Sequence, residues 1–123
     1  MYELKVISKF AAAHQLKMVT QKCENLHGHN WKVEVFVSGK ELNNSGVLMD
    51  FGEIKKHLAV IMETLDHKFL NDIAFFKNSN PSSEVIAKHI ADELQGMIPD
   101  PLVSVSRVNV WESDDACASY IVD

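Results

Sequence analysis

The stretch KCENLHGHN, residues 22–30, places Cys23, His27 and His29 within seven positions. A thiolate and imidazoles are the donors that zinc prefers. Residues two apart on an extended strand project from one face, so His27 and His29 can share one ion. A zinc centre that acts on a substrate has three protein ligands and one open position, so a third ligand must come from elsewhere. His14, just beyond the first alternating segment of the chain, is the leading candidate. The plain alternative is a pair of exposed histidines at a strand end. Cys23 has two readings that spacing leaves open. It can be a fourth ligand that closes a structural tetrahedron, or a thiolate of lowered pKa that moves protons.

Other residues suit acid and base work. Asp66 precedes His67 in LDHKFLN, and a carboxylate beside an imidazole can orient and polarise it. A histidine meeting a helix C-terminus explains the same dipeptide without chemistry. Glu112 closes the largely apolar run VNVWES. A partly buried carboxylate needs donors, and a flat ligand with adjacent N–H groups would supply two in parallel. His57 and His89 flank apolar stripes and read as structural or solvated, and Cys117 reads as a small packing residue.

The elements that must position these groups follow from periodicity. In YELKVISKF, Tyr2, Leu4, Val6 and Phe10 share one parity and charged residues fill the other, which predicts a half-buried strand. WKVEVFV does the same with Trp31, Val33, Val35 and Val37, and the two strands are expected to pair. From Phe51 the spacing changes to three and four through Ile54, Leu58, Ile61, Met62 and Leu65, with Asp50 as the N-cap. A second amphipathic helix follows NPSSE, capped by Ser82 and buried through Ile86, Ile90, Leu94 and Met97. Two strands, about 102–112 and 117–122, close the chain around SDDA. Strand, strand, helix, helix, strand, strand predicts an α+β domain, a four-stranded antiparallel sheet with two helices packed on one face.

Composition bounds the function. A chain of 123 residues at 46% hydrophobic suits one domain, 1–123, with one core. No run approaches the ~20 apolar residues of a membrane span, and the N-terminus lacks the order of a secretory signal, so a cytoplasmic protein without a membrane partner is expected. Two distant cysteines make no disulfide framework. A net charge of -5 argues against nucleic acid.

In order, FAAAH with His14, KCENLHGHN, GVLMDF, LDHKFLN, NPSSE and WES resemble the 6-pyruvoyltetrahydropterin synthase and 6-carboxytetrahydropterin synthase family, and they span nearly the whole chain. The resemblance implies the tunnelling fold, in which sheets of three subunits close a barrel, two trimers stack into a homohexamer, and active sites lie between subunits. It implies that His14, His27 and His29 bind zinc, that Cys23 transfers protons assisted by Asp66 and His67, and that Glu112 anchors a pterin ring. Glu24, Asn25 and Leu26 separate Cys23 from His27, a three-residue gap that resembles the carboxy branch. That branch implies conversion of 7,8-dihydroneopterin triphosphate to 6-carboxy-5,6,7,8-tetrahydropterin, acetaldehyde and triphosphate, on the route to queuosine and other 7-deazapurines. The alternatives are the pyruvoyl branch, which releases no acetaldehyde, and a non-catalytic zinc- or pterin-binding module. Ser82 stands where relatives often carry threonine, and both hydroxyls cap a helix. An acidic chain must offset a polyanionic substrate locally, and Lys22 is the expected nearby cation.

Overall fold

A computed structural model describes residues 1–16 and 26–123, except for the side chain of His27. Cys23 and Lys22 lie outside the described residues. Strand β1 (Tyr2–His14) pairs antiparallel with β2 (His27–Gly39), Tyr2 opposite Gly39 and His14 opposite His27. Helix α1 (Phe51–Leu65) follows, then a two-residue strand β3 (Lys68–Phe69), two short 3-10 turns, helix α2 (Ser83–Met97), and the hairpin of β4 (Ser104–Ser113) and β5 (Ala116–Ile121). The sheet order is β3-β1-β2-β4-β5.

The expected fold class holds, with five strands in place of four. β3 lies parallel to β1, with Ala12 opposite Lys68 and Ala13 opposite Phe69. Two residues are too few to leave a period-two signal. β3 exists because the chain leaving α1 bends sharply at His67, whose φ is 57°, and the His67 amide donates to the Ala11 carbonyl at 2.6 Å. A non-glycine residue in that left-handed region is uncommon, and the bond to the sheet edge offsets its cost.

Both helices start where capping chemistry directs. The Asp50 side chain accepts from the Gly52 amide, and the Ser82 hydroxyl accepts from the Val85 amide. α1 buries Ile54, Leu58, Ile61, Met62 and Leu65, whereas Phe51, read as part of that stripe, is 50% exposed in the first turn. α2 buries Ile86, Ile90 and Leu94, together with Ala87, His89 and Ala91. α1 lies over β1, and α2 over β4 and β5. Opposite them the sheet presents Val6, Phe10, Trp31, Val33, Val35, Val37, Val108 and Val110, all essentially buried. Each such side chain removed from water contributes about 1.5 to 3 kcal/mol before the entropy of ordering it is counted.

An irregularity in β4 sets the direction of Glu112. Val37 pairs with Val105, but Phe36 pairs with Arg107, so β4 carries an extra residue there. A bulge reverses which parity of the strand faces the helices. Before it Val105 is buried; after it Val108 and Val110 are. Glu112, two residues further, therefore stands on the helix-bearing face.

Candidate active site

The site forms where β1 ends and β2 begins. Cross-strand partners share a face, so pairing His14 with His27 and Ala12 with His29 brings the histidine-bearing ends of two strands side by side. The His14 ring lies edge-on to the His29 ring, centroids 5.1 Å apart, and to the Trp31 ring at 5.0 Å. Trp31 is fully buried and its indole N–H donates to the Ala12 carbonyl at 3.2 Å, which fixes the floor under both imidazoles.

His14 is itself fully buried, and its Nδ1 sits 2.9 Å from the Pro81 carbonyl oxygen. A carbonyl only accepts, so Nδ1 carries the proton and, in the neutral ring, Nε2 carries the lone pair. Outer hydrogen bonds of this kind orient histidines that bind metals. His14 Nε2 and His29 Nε2 converge on one carboxylate oxygen, Glu112 Oε1, at 3.6 and 2.9 Å. The donor atoms of His14, His29 and Glu112 all lie within 4.8 Å of one another. Two imidazoles and a carboxylate, one imidazole held in its ligating tautomer, fit a divalent metal. His27 is directly opposite His14 in the backbone register, but its side chain lies outside the described residues, as does Cys23.

Glu112 was expected as a ring anchor separate from the histidines, and here its carboxylate bridges two directions. Oε1 faces the imidazoles, and Oε2 accepts from the Ser83 hydroxyl at 3.2 Å. The same carboxylate lines a cleft of about 400 Å³ with Ser83, Glu84, Ala116, Cys117, Ala118 and Ser119. Cys117, read as a packing residue, is exposed on β5. Among the described residues β5 is the outermost strand on that side, which leaves this side chain open, and only the sheet order reveals that.

Asp66 and His67 form the second group. Asp66 caps α1, its Oδ2 lies 2.9 Å from His67 Nδ1, and its Oδ1 accepts from the Ala11 amide at 2.8 Å. The Ala11 amide holds the Asp66 carboxyl below its ordinary value, with His67 adding to the effect. A charged Asp66 keeps the proton on Nδ1, so Nε2 of the exposed His67 is the atom able to exchange a proton with a substrate. Both partners are bound through Ala11 to the strand that carries His14.

Two positioning groups escaped the sequence reading. Asn71 makes a reciprocal clasp with the Gln15 backbone, accepting from its amide at 2.9 Å and donating to its carbonyl at 2.7 Å. This pins the residue after His14. Ser83 holds Glu112. Both lie in the stretches LDHKFLN and NPSSE, but a clasp between residues 56 apart has no local signature.

A half-buried cluster of two imidazoles and a carboxylate at the end of a helix-backed sheet, with a separate Asp–His pair in the turn after α1 bonded to β1 through Ala11, defines a tunnelling-fold protein with a candidate metal site. The chain belongs to the 6-pyruvoyl tetrahydropterin synthase family, whose profile matches residues 3–122. It is 38% identical over 117 residues to a 6-carboxy-5,6,7,8-tetrahydropterin synthase from Synechocystis, covering 90% of this chain and 86% of that one. It is 34% identical over 108 residues to a dihydroneopterin monophosphate aldolase from Pyrococcus furiosus, covering 88% and 87%. Its fold superposes on the 6-pyruvoyl tetrahydropterin synthase structure from Caenorhabditis elegans with a TM-score of 0.87 at 24% identity, covering 99% and 96% of the two chains. Family membership places the chain among enzymes of pterin metabolism.

Proposed function

We propose that the protein is a zinc-dependent carbon–carbon lyase, a 6-carboxy-5,6,7,8-tetrahydropterin synthase. It converts 7,8-dihydroneopterin triphosphate and water to 6-carboxytetrahydropterin, acetaldehyde and triphosphate, a step toward queuosine and related 7-deazapurines. The observation that carries this reading is the convergence of His14 and His29 Nε2 on Glu112, with the Asp66–His67 pair tied to the same strand. The three-residue gap between Cys23 and His27 and the Synechocystis relative favour the carboxy branch.

In this reading His14, His27 and His29 hold the zinc. A bound zinc supplies Lewis-acid polarisation of substrate oxygens. Glu112 receives the pterin's adjacent N–H groups in its cleft, with Ser83 fixing the far oxygen. Cys23 and His67 Nε2 exchange protons with the substrate side chain, and Asp66 keeps His67 in the tautomer that can do so.

The chain acts as one cytoplasmic domain within a homohexamer, a dimer of trimers. Among the described residues β5 is an outer strand of the sheet, and β3 pairs with β1 on its outer side only at Ala12 and Ala13. Unpaired edges recruit further strands, and cyclic closure into a barrel satisfies both.

Incubation with 7,8-dihydroneopterin triphosphate and identification of both fragments tests the activity. Acetaldehyde together with 6-carboxytetrahydropterin supports the carboxy reading. A 6-pyruvoyl product without acetaldehyde assigns the pyruvoyl reaction named by the family profile. Stoichiometric metal with no turnover sinks both.

A further inference from the structure

The helix-free face of the sheet carries a second polar site that the histidine cluster does not use. Lys9 of β1 and Lys32 of β2 are directly opposed partners. Like charges placed opposite one another in an antiparallel pair repel, so the arrangement costs stability unless something lies between them. Lys32 is also opposite Trp111 of β4, and its ammonium lies 4.8 Å from the indole ring centroid.

Trp111 is held in place by Glu34, which accepts its indole N–H at 2.7 Å and the Asn109 amide at 3.2 Å. Glu34 is ion-paired with Lys5 at 3.6 Å. Glu34 is thus already engaged, with the Lys32 charge among the influences that hold its carboxyl below the usual range, and among the described residues neither Lys9 nor Lys32 lies within ion-pair distance of a carboxylate. Between them runs a cleft of about 200 Å³, lined by Lys9, Asn30, Lys32, Trp111, Ser113 and Asp114. That is smaller than the roughly 300 Å³ at which pockets for drug-sized molecules begin, so a compact ion suits it better than an organic ring. Two ammonium groups, an amide and a hydroxyl can all donate, and ammonium groups bind phosphate oxygens as point charges. Among the described residues Asp114 is the only acidic member of the lining.

We propose that Lys9 and Lys32, with Asn30 and Ser113, bind a polyphosphate anion. Asn30 follows His29, and Trp111 and Ser113 flank Glu112. Neighbours on a strand point to opposite faces, so the anion site stands back to back with the histidine cluster at one end of the sheet. Naming the anion's source, the substrate's triphosphate tail or free triphosphate, rests on the proposed function; the site itself does not.

Calorimetric titration of the purified protein with inorganic tripolyphosphate at about 0.15 M salt tests the site, since binding there must survive ordinary screening. The expected result is one anion per chain. Lys9→Ala and Lys32→Ala should each weaken it on the order of tenfold, the loss of one charged contact, and Asp114→Asn should tighten it several-fold. Equal affinity in the native protein and both lysine variants would overturn the proposal.

Thermal unfolding gives a second readout. Tripolyphosphate should raise the melting temperature of the native protein more than that of Lys9→Ala. An equal rise in both counts against the site.

The Michaelis constant separates the sources. A bound substrate tail predicts that Lys32→Ala raises KM more for dihydroneopterin triphosphate than for dihydroneopterin monophosphate. Free anion alone predicts equal KM changes with weakened inhibition by tripolyphosphate. Absence of turnover in the native protein counts against the proposed function and leaves the titration standing.

Discussion

Nε2 of His29 lies 2.9 Å from Oε1 of Glu112, a contact between β2 and β4 that joins the proposed metal-binding half of the site to its proposed ring-binding half. It allows their roles to be separated. His14→Ala and His29→Ala should each lose bound metal, because each removes a converging nitrogen. Cys23→Ala should keep the metal and lose turnover. Glu112→Gln should also keep the metal while pterin binding weakens by about 2 to 5 kcal/mol, the cost of removing one partner of a buried charged pair. Elemental analysis and product-binding titration measure these. Metal loss from Glu112→Gln as complete as from His29→Ala would make Glu112 a ligand instead of an anchor.

Asp66→Asn should lower turnover by about 10²- to 10⁴-fold, the usual range for general acid–base catalysis, with metal content unchanged. The acid stability profile should change with it. Because the Ala11 amide depresses the Asp66 carboxyl below its ordinary 3.8, its contribution is fully present above that value and is lost as pH falls through the lower folded value. Urea unfolding across the acid range should show a shallower loss in Asp66→Asn. An unaltered profile would mean the Ala11 bond contributes nothing.

His89 should give a second, milder pH dependence. It is buried in α2 against Phe75, ring centroids 4.2 Å apart, and against Phe76 at 5.3 Å. Burial pushes its pKa below the ordinary 6.5, although Glu93 and Asp92 pull the other way, and Glu84 and Lys88 border the same cleft. The unfolded chain then takes up a proton that the folded one resists. Stability is therefore complete above pH 6.5 and declines as pH falls below it. Denaturant midpoints at neutral and mildly acid pH should differ less in His89→Gln than in the native protein. An identical difference in both would reject His89 as the source.

Removing the cap of α2 should destabilise the fold and loosen the site together. Ser82→Ala loses the bond from the Val85 amide, at about 1 kcal/mol. The neighbouring Pro81 carbonyl orients His14, so metal affinity should fall modestly alongside the denaturant midpoint. Full stability in Ser82→Ala would show that the cap is replaced by solvent.

The assembly prediction rests on the sheet edges. Light scattering should report a closed particle of about six times the 13.8 kDa chain. A monomer with full activity would refute both the barrel and a site shared between subunits.

The sequence by itself determined the two helices and the four longer strands, and it named the groups that could do chemistry. Two periodicities separated strands from helices, Asp50 and Ser82 marked the helix starts, and parity placed Trp31, Val33, Val35 and Val37 on the buried face. These are local properties, legible because side-chain direction repeats every 2 or 3.6 residues. His14, His29, Asp66, His67 and Glu112 were legible as candidates, through their types and the motifs around them. Their joint geometry was not. The bulge opposite Phe36 reverses the parity of β4, and a strand read at constant parity from Val105 would have turned Glu112 away from the histidines. The tautomer of His14 depends on a carbonyl 67 residues distant, and the exposure of Cys117 depends on the order of strands. Contacts of that kind are set by how the chain returns upon itself, so the pattern along the chain names the groups and only the tertiary structure decides which of them meet.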